Sequence, residues 1–346
     1  MKSIIQNLTI TFFISQFIGA TIFNVPDDYY TIQEGIFASV NGDTVLVAPG
    51  IYLENISFGG KNIVMISSGS MENTIIDGNN LWCTVRFSGN ETNEAVLNGF
   101  TIQNGDDCVF SQGGGIYIDH SSPTLQNLII RNNHAFIGGG IFINMNSHPI
   151  FENLLIMNNN GVGIHIISNS ASMQLINCTI TGNSEGGISI ESASAGVVNT
   201  VLWDNGQEEI NNWSGSVNIF YSDIQGGWEG EGNIDSDPLF TDSENGDYTL
   251  QEDSPCIDAG ADFFMWVSDT LVDMSQDEYV GEAPDMGAFE WGPHGDVNTD
   301  GAVNILDILL TVNIILMGEY NNLADLNNDD TMNVQDIILI VNIILN

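Results

Sequence analysis

The sequence predicts an all-β solenoid, a right-handed parallel β-helix, with a small α-helical module at its C-terminal end. Three observations carry this expectation. Four segments share one frame: Asn127-Leu-Ile-Ile-Arg-Asn-Asn133, Asn153-Leu-Leu-Ile-Met-Asn-Asn159, Asn177-Cys-Thr-Ile-Thr-Gly-Asn183 and Asn199-Thr-Val-Leu-Trp-Asp-Asn205, with first asparagines 26, 24 and 22 residues apart. A second frame lies between them, Gly115-Ile-Tyr-Ile118, Gly140-Ile-Phe-Ile143, Gly163-Ile-His-Ile166 and Gly187-Ile-Ser-Ile190, its glycines 25, 23 and 24 apart. Finally, the chain closes on a tandem repeat offset by 29 positions.

Two phase-locked repeats of one period mean a solenoid with one turn per repeat. Each unit is short, β-branched and alternating, with Gly, Asn and Ser at its joints, which reads as strands. Long 3.6-periodic runs are missing, and so is a leucine-rich consensus. A parallel β-helix remains, its turns stacked at roughly 4.8 Å. Right-handedness follows by analogy with parallel crossovers. Ile116, Ile141, Ile164 and Ile188 form one inward ladder, and Ile118, Ile143, Ile166 and Ile190 a second. The repeated Asn suits a tight bend, where it adopts left-handed backbone angles and bonds its stacked neighbour.

The chain has 346 residues, enough for a full core and a second domain. Its net charge of −41 reflects missing base more than excess acid, since Lys and Arg number only four: Lys2, Lys61, Arg86 and Arg131. Nothing can neutralise phosphates, which excludes nucleic acid as a partner, and an anionic membrane surface is equally excluded. Lys2, the apolar stretch Leu8 to Ile18 and the small residues Gly19-Ala20 form an export signal with cleavage expected after Ala20, so the chain is expected to be secreted, extracellular or on the cell surface. That run is too short for a membrane span, and no later segment reaches roughly twenty apolar residues. Of four cysteines, Cys178 holds an inward ladder position. Cys83 and Cys108 lie 25 apart, neighbours on adjacent turns, as a bridge or as two buried thiols.

Taken in order, Thr31 and Glu34 make a capping box, after which Ile32, Ile36 and Val40 share a helical face. A solenoid must cover its open ends, and this short helix is the lid. The first strands lie in Asp43-Thr-Val-Leu-Val-Ala-Pro-Gly50, Ile51 to Phe58 and Asn62 to Ile66; Asn73 to Asn79 and Gly99 to Asn104 belong to the early turns.

Thr31-Ile-Gln33, Gly42-Asp-Thr-Val-Leu-Val-Ala-Pro-Gly-Ile-Tyr52 and Thr74-Ile-Ile-Asp-Gly78 resemble the N-terminal part of pectin-lyase-like right-handed β-helix proteins, a likeness that covers about residues 25–225. It implies that fold, in a superfamily rich in polysaccharide lyases and glycoside hydrolases but also containing binding and surface proteins. Beyond Ser222 the frame decays. Asp237-Pro-Leu-Phe240, Ser254-Pro-Cys-Ile-Asp-Ala-Gly260 and Pro284-Asp-Met-Gly-Ala-Phe-Glu290 resemble the segment that closes bacterial surface β-helix proteins. The expected divisions are a signal at 1–20, the β-helix with its capping helix at 21–234, a C-terminal cap at 235–291, a linker at 292–295 and the final module at 296–346.

In that module, Asp296-Val-Asn-Thr-Asp-Gly-Ala-Val-Asn-Ile-Leu-Asp307 repeats as Asp325-Leu-Asn-Asn-Asp-Asp-Thr-Met-Asn-Val-Gln-Asp336. Oxygen side chains fall at loop positions 1, 3, 5, 9 and 12, the spacing that wraps a loop around Ca²⁺, a cation that takes about six to eight hard oxygens. The ligand set is Asp296, Asn298, Asp300, Asn304, Asp307 and the Ala302 carbonyl, then Asp325, Asn327, Asp329, Asn333, Asp336 and the Thr331 carbonyl. The pair resembles a type I dockerin, with Asp where an EF-hand has Glu. The resemblance implies Ca²⁺ as cofactor and a cohesin-like or other surface protein as partner. At positions 10 and 11, where cellulosomal dockerins present hydroxyl pairs, this chain has Ile305-Leu306 and Val334-Gln335.

No complete catalytic set is legible. Lyases on this fold use an Arg or Lys base, and Arg131 beside an inward Ile faces outward. Asp106-Asp107 resembles the paired aspartates of polygalacturonases, without their His-containing and Arg-x-Lys motifs. Tyr117, Phe142 and His165 alternate with the inward Ile residues and are expected to stack on one outer face, with Asp119 in a neighbouring row; rings beside carboxylates suit a polysaccharide. Ile129, Leu155 and Val201 make a second outward row, open to cover by a loop. The functions in view are a polysaccharide-binding or adhesive surface protein attached through its calcium module and, alternatively, a carbohydrate-active enzyme delivered by it.

The sharp turn of the first loop is Gly301, whereas the second has Asp330, and aspartate enters left-handed backbone space at a cost that glycine avoids. Calorimetric titration with calcium should therefore resolve two unequal sites, the second weaker. Two equally tight sites would refute the assignment.

Overall fold

The computed structural model describes residues 19–346 except 267–268, 277, 294, 299–302, 318–320, 322, 328–330 and 346. The export signal, but for Gly19 and Ala20, and the ligand candidates Asp300, Ala302 and Asp329 lie outside the described residues.

The body is a right-handed parallel β-solenoid of about 8 turns. Nine strands of its larger sheet stack in chain order, from Ile22–Val25 through Thr44–Val47, Val64–Ser67, Val96–Gln103, Thr124–Arg131, Ile150–Met157, Ser172–Ile176 and Ser194–Val198 to Ser216–Phe220. A second sheet runs from Ile56–Ser57 through Val85–Phe87, Ile116–Asp119, Ile141–Asn144, Val162–Ile167 and Gly186–Glu191 to Ile210–Trp213. All these pairings are parallel and in register, so each strand turns alternate side chains inward. Both expected Ile ladders form: Ile116, Ile141, Ile164 and Ile188 align, as do Ile118, Ile143, Ile166 and Ile190, and none is more than 1 % exposed. They face Leu125, Phe151, Leu175 and Val197 of the larger sheet across one continuous core.

The asparagine frame closes both corners of each turn. Asn127, Asn153, Asn177 and Asn199 all have φ between 50° and 55°, and Asn132 and Asn158 bend the next corner with φ of 55° and 52°. Asparagine tolerates this region because its short amide bonds locally. The residue after that second corner is buried and bonds along the solenoid axis. The Asn159 side-chain oxygen accepts from the Asn133 backbone N–H and Nδ2, both at 3.0 Å. Its Nδ2 donates to the Ile130 carbonyl and to Asn183 Oδ1, both at 2.9 Å. Asn183 repeats the arrangement with Asn205, whose Nδ2 ends the ladder on the Glu209 carboxylate.

Helix α1 (Ile32–Ala38) covers the first turn. Its capping box forms as expected, with Thr31 accepting from the Glu34 N–H and Glu34 from the Thr31 N–H. The Glu54 carboxylate accepts from the Ile32 and Gln33 N–H groups at 2.8 and 3.0 Å, an anion at the positive helix end. Lys61 Nζ donates to the Ile36, Phe37 and Ser39 carbonyls at the other end. Ile32 and Ile36 are buried, but Val40, expected on the same face, falls beyond the helix and is exposed, because the helix stops at Ala38.

Past the last turn, Trp228 packs on the core. The chain then runs back along the larger sheet, with antiparallel pairs Phe240–Asp242 with Asp247–Leu250 and Phe263–Trp266 with Asp269–Asp273. Tyr248, Phe240 and Phe289 cover Ile129 and Leu155, while Leu250, Cys256 and Met286 cover Val201. In the C-terminal module, helices α2 (Ile305–Met317) and α3 (Val334–Leu345) pack together around Val297, Ile314, Ala324 and Ile340. Among the described residues no helix is long and apolar enough to cross a membrane.

Replacing Asn159 with Ala strands the buried Asn133 N–H and the Ile130 carbonyl, at a cost of about 2–6 kcal/mol for the two groups. Thermal unfolding and limited proteolysis should show a less stable solenoid that is cut within the neighbouring turns. An unchanged melting curve would show the ladder to be incidental.

Candidate functional site

The outward row read from the sequence is present as a stack but not as a surface. Phe142 lies 5.5 Å from Tyr117 and 5.8 Å from His165, ring centre to ring centre, the latter pair within 6° of parallel. Arg86 extends the row, 5.8 Å above the Tyr117 ring. Yet Phe142 is 0 % exposed and Tyr117 5 %. Burial also pushes the His165 imidazole down to about 4, so it stays neutral. The structure thus places Tyr117 and Phe142 beneath cover rather than on an outer face, with His165 half-buried beside them. A two-residue period tells which face of a strand a side chain takes, not whether a loop lies over that face. Here Cys108, Val109 and Ile137 come down from the loops joining the two sheets, and the row becomes the centre of a small second core. A disulfide between Cys83 and Cys108 fastens this cover. Asp119 stays half-buried beside its strand partner Asn144, with His120 Nδ1 3.2 Å from its carboxylate, and takes no part in an exposed platform with the rings.

What faces solvent is the outside of those same loops. Trp82, Phe110 and Phe136, on three consecutive turns, are 43 %, 89 % and 82 % exposed. Phe110 sits with Ser111 in left-handed backbone space, φ 53° and 63°, at the tip of a turn closed by the Cys108 and Gln112 backbones. A bulky side chain rarely holds that conformation, and the disulfide at Cys108 constrains it here. Beside these rings the turns bring His134 to the Asp106-Asp107 pair. His134 Nδ1 is 2.8 Å from Asp106 Oδ1, and ligand atoms of all three residues lie within 4.8 Å of one another. The His134 bond, then the Asp107 backbone N–H, hold the Asp106 carboxyl below its usual range. Sequence reasoning saw the aspartates but missed the histidine. The signal was available: 28 residues separate Asp106 from His134, the length of one turn there, as in the pairing of Thr101 with Ile129.

The other charged candidates are committed to the scaffold. Lys61 caps α1, Arg86 lies on Tyr117, and Arg131 Nε donates to Gln103. In the flanking segment, Asp258, Asp285 and Glu290 each accept backbone N–H groups: Glu282 and Ala283 on Asp258, Asp258 and Trp291 on Asp285, Asp285 and Val280 on Glu290. Burial raises Asp285 to about 6, and burial with the neighbouring Asp285 charge raises Glu290 to about 7.

In the C-terminal module four loop carboxylates are buried, Asp296 1 % exposed and Asp307, Asp325 and Asp336 0 %. The Asp307 carboxylate accepts from the Val297, Asn298 and Asn304 N–H groups, and Asp336 from the Asn333 N–H. Asn304 and Asn333 cap the two helices, each accepting from the N–H two residues on. Thus positions 9 and 12 of each loop form a reciprocal cap, with Asp in the third helical position. Asn298 and Asn327 stand beside the buried carboxylates, half-buried and exposed respectively; the Thr331 carbonyl accepts from Asn333 Nδ2. Asp336 Oδ1 is buried without a hydrogen bond, and residues 292–346 contain no Lys or Arg. The buried Asp336 Oδ1 without a hydrogen bond, with oxygen side chains at loop positions 1, 3, 9 and 12, gives a donor set that fits a hard divalent cation such as Ca²⁺.

Fold and loops together define a parallel β-helix protein ending in a paired loop-helix module. Residues 63–224 match the family described as right handed beta helix region, and residues 294–345 match the type I dockerin domain. The chain is a right-handed β-helix protein with a C-terminal type I dockerin. Solved structures similar to it include the pectate lyase Pel9A, at 14 % identity over 79 % of this chain and 96 % of that one, TM-score 0.39. The pectin methylesterase PemA from Erwinia chrysanthemi is similar at 10 % identity over 67 % and 98 %, TM-score 0.35. Comparison with curated protein sequences gives no match.

The raised carboxyls make a pH prediction. A group whose folded pKa is raised contributes stability that is fully present below its unfolded pKa and is lost as pH rises through the folded value. For Asp285 and Glu290 that loss runs through pH 6 to 7. Calorimetric melting temperature should fall between pH 5 and pH 8, and fall less in Glu290→Gln. Equal slopes in both proteins would exclude Glu290 as a source.

Proposed function

We propose that this chain is an extracellular glycan-binding protein whose β-helix is held at a surface by calcium-dependent docking of its C-terminal module. The observation that carries the reading is the duplicated loop whose position 1 and 12 carboxylates are all buried, Asp336 Oδ1 among them without a hydrogen bond. In each loop the ion is held by the position 1, 3, 5 and 12 side chains and the position 7 carbonyl. These are Asp296, Asn298, Asp300, Ala302 and Asp307, then Asp325, Asn327, Asp329, Thr331 and Asp336. Asn304 and Asn333 fix the helix starts and engage the ion through water. Dockerins bind cohesins, and a cohesin-like receptor is the expected partner. The surface offered to it is apolar: Ile305, Leu306, Leu309, Val334 and Ile338 are all more than half exposed. That matches the absence of hydroxyl pairs at loop positions 10 and 11, and apolar residues at the centre of an interface supply affinity by burial.

The glycan contact moves from the buried Tyr117 row to the exposed Trp82, Phe110 and Phe136, rings beside the Asp and His groups that sugar hydroxyls can bond. Commitment of Lys61, Arg86 and Arg131 to structural contacts supports binding over lyase chemistry, which needs a free base at the sugar carbon.

Affinity electrophoresis in neutral and acidic polysaccharides should retard the full chain, and the triple variant W82A/F110A/F136A should lose that retardation while keeping calcium-dependent capture by a surface receptor. Retardation unchanged in the variant would remove the glycan assignment, and capture insensitive to chelation would remove the docking one.

A further inference from the structure

We propose that Asp106, Asp107 and His134 form a transition-metal site, separate from the calcium loops and suited to Zn²⁺ or a similar divalent ion. The argument begins with how firmly the three side chains are placed. Asp106 follows Gly105, whose N–H is bonded by the Asn133 ladder oxygen, and its own N–H donates to the Trp82 carbonyl of the preceding turn. Asp107 is held by the Phe136 N–H on its Oδ1, and its N–H donates to Asp106 Oδ1. His134 follows directly on Asn133, which is 0 % exposed, and donates its N–H to the Gly105 carbonyl. Two residues on from Asp106, Cys108 is tied to Cys83. The site is thus tied to the asparagine ladder and the neighbouring disulfide, as metal ligands require.

Chemistry selects the ion. One imidazole nitrogen and two carboxylate oxygens within 4.8 Å of one another suit Zn²⁺ and its borderline neighbours. Calcium prefers a shell of about six to eight oxygens, which two carboxylates do not fill. Asp106 Oδ1 takes the Asp107 N–H and lies 2.8 Å from His134 Nδ1, a hydrogen bond that the ion would replace, and Asp107 Oδ1 takes the Phe136 N–H; among the described residues no backbone N–H bonds the second oxygen of either carboxylate. Three protein ligands leave at least one coordination position open to a further ligand. The ion also relieves a cost, since Asp106 and Asp107 are adjacent like charges in a chain of net charge −41. This proposal stands whether or not a glycan binds the rings.

The test uses the full chain in millimolar calcium, which keeps the dockerin loops occupied, with Co²⁺ as the probe. Equilibrium dialysis should find a single Co²⁺ with visible d–d absorption, and Zn²⁺ should displace it. His134→Ala and Asp107→Asn should each weaken Co²⁺ binding by at least about tenfold, with far-UV circular dichroism unchanged. His148→Ala, which removes another exposed histidine, should bind as the parent does. Co²⁺ uptake undiminished in His134→Ala, an equal loss in His148→Ala, or no uptake once calcium is present would each overturn the assignment.

Discussion

Everything in this molecule depends on hydrogen bonding along the solenoid axis between residues one turn apart. Parallel strands alone give evenly spaced, slanted backbone bonds that tolerate slippage between turns. The ladder of buried Asn133, Asn159 and Asn183, ending at half-buried Asn205, removes that freedom, because each buried amide must meet its partner in the next turn or stay unpaired in the core. With the register pinned, the isoleucines align, the outward rings stack, and loops of adjacent turns arrive at fixed positions. The ladder also has a defined end, since Glu209 supplies the last acceptor, where Glu209 burial raises its own pKa.

Charge sets the second constraint. A chain with 45 acidic and four basic residues cannot balance buried carboxylates with salt bridges. Two solutions coexist. In the flanking segment, Asp258, Asp285 and Glu290 collect backbone N–H groups, and two of them shift toward the neutral form. In the C-terminal loops, Asp296, Asp307, Asp325 and Asp336 are buried at positions 1 and 12 of the two repeats, a spacing that suits a divalent cation. The few bases are spent on geometry: Lys61 on three carbonyls at the C-terminal end of α1, Arg131 on the Gln103 side chain.

Much of this was legible in the residues themselves. The asparagine and isoleucine frames specify turn length, inward face and bend, and the Thr31–Glu34 box specifies the lid. These features are local or strictly periodic, so spacing determines them. Cover was not legible. Nothing in the alternation of Ile116-Tyr117-Ile118 says that Val109 and Ile137 will lie over Tyr117, nor that Phe240 and Tyr248, more than a hundred residues on, will cover Ile129. The one local hint was the cysteine pair, since joining Cys83 to Cys108 draws the loop over the ring stack. Position 5 of each calcium loop, Asp300 and Asp329, rests on the sequence pattern alone.

The same cover explains where exposed aromatic and polar side chains come to sit. On a solenoid the strand faces repeat, and a repeated aromatic row is more valuable as core than as surface once a loop can bury it: Phe142 loses all its exposure between two stacked rings. Loops are free of the inward-outward rule, yet each is anchored at both ends to turns in fixed register. A residue type that is costly on a strand face, such as Phe110 in left-handed space, can be held there without disturbing the ladders beneath. Exposed rings and the Asp106, Asp107 and His134 cluster therefore gather on three successive loops because the axis holds those loops together, and side chains can change there while the spiral stays the same.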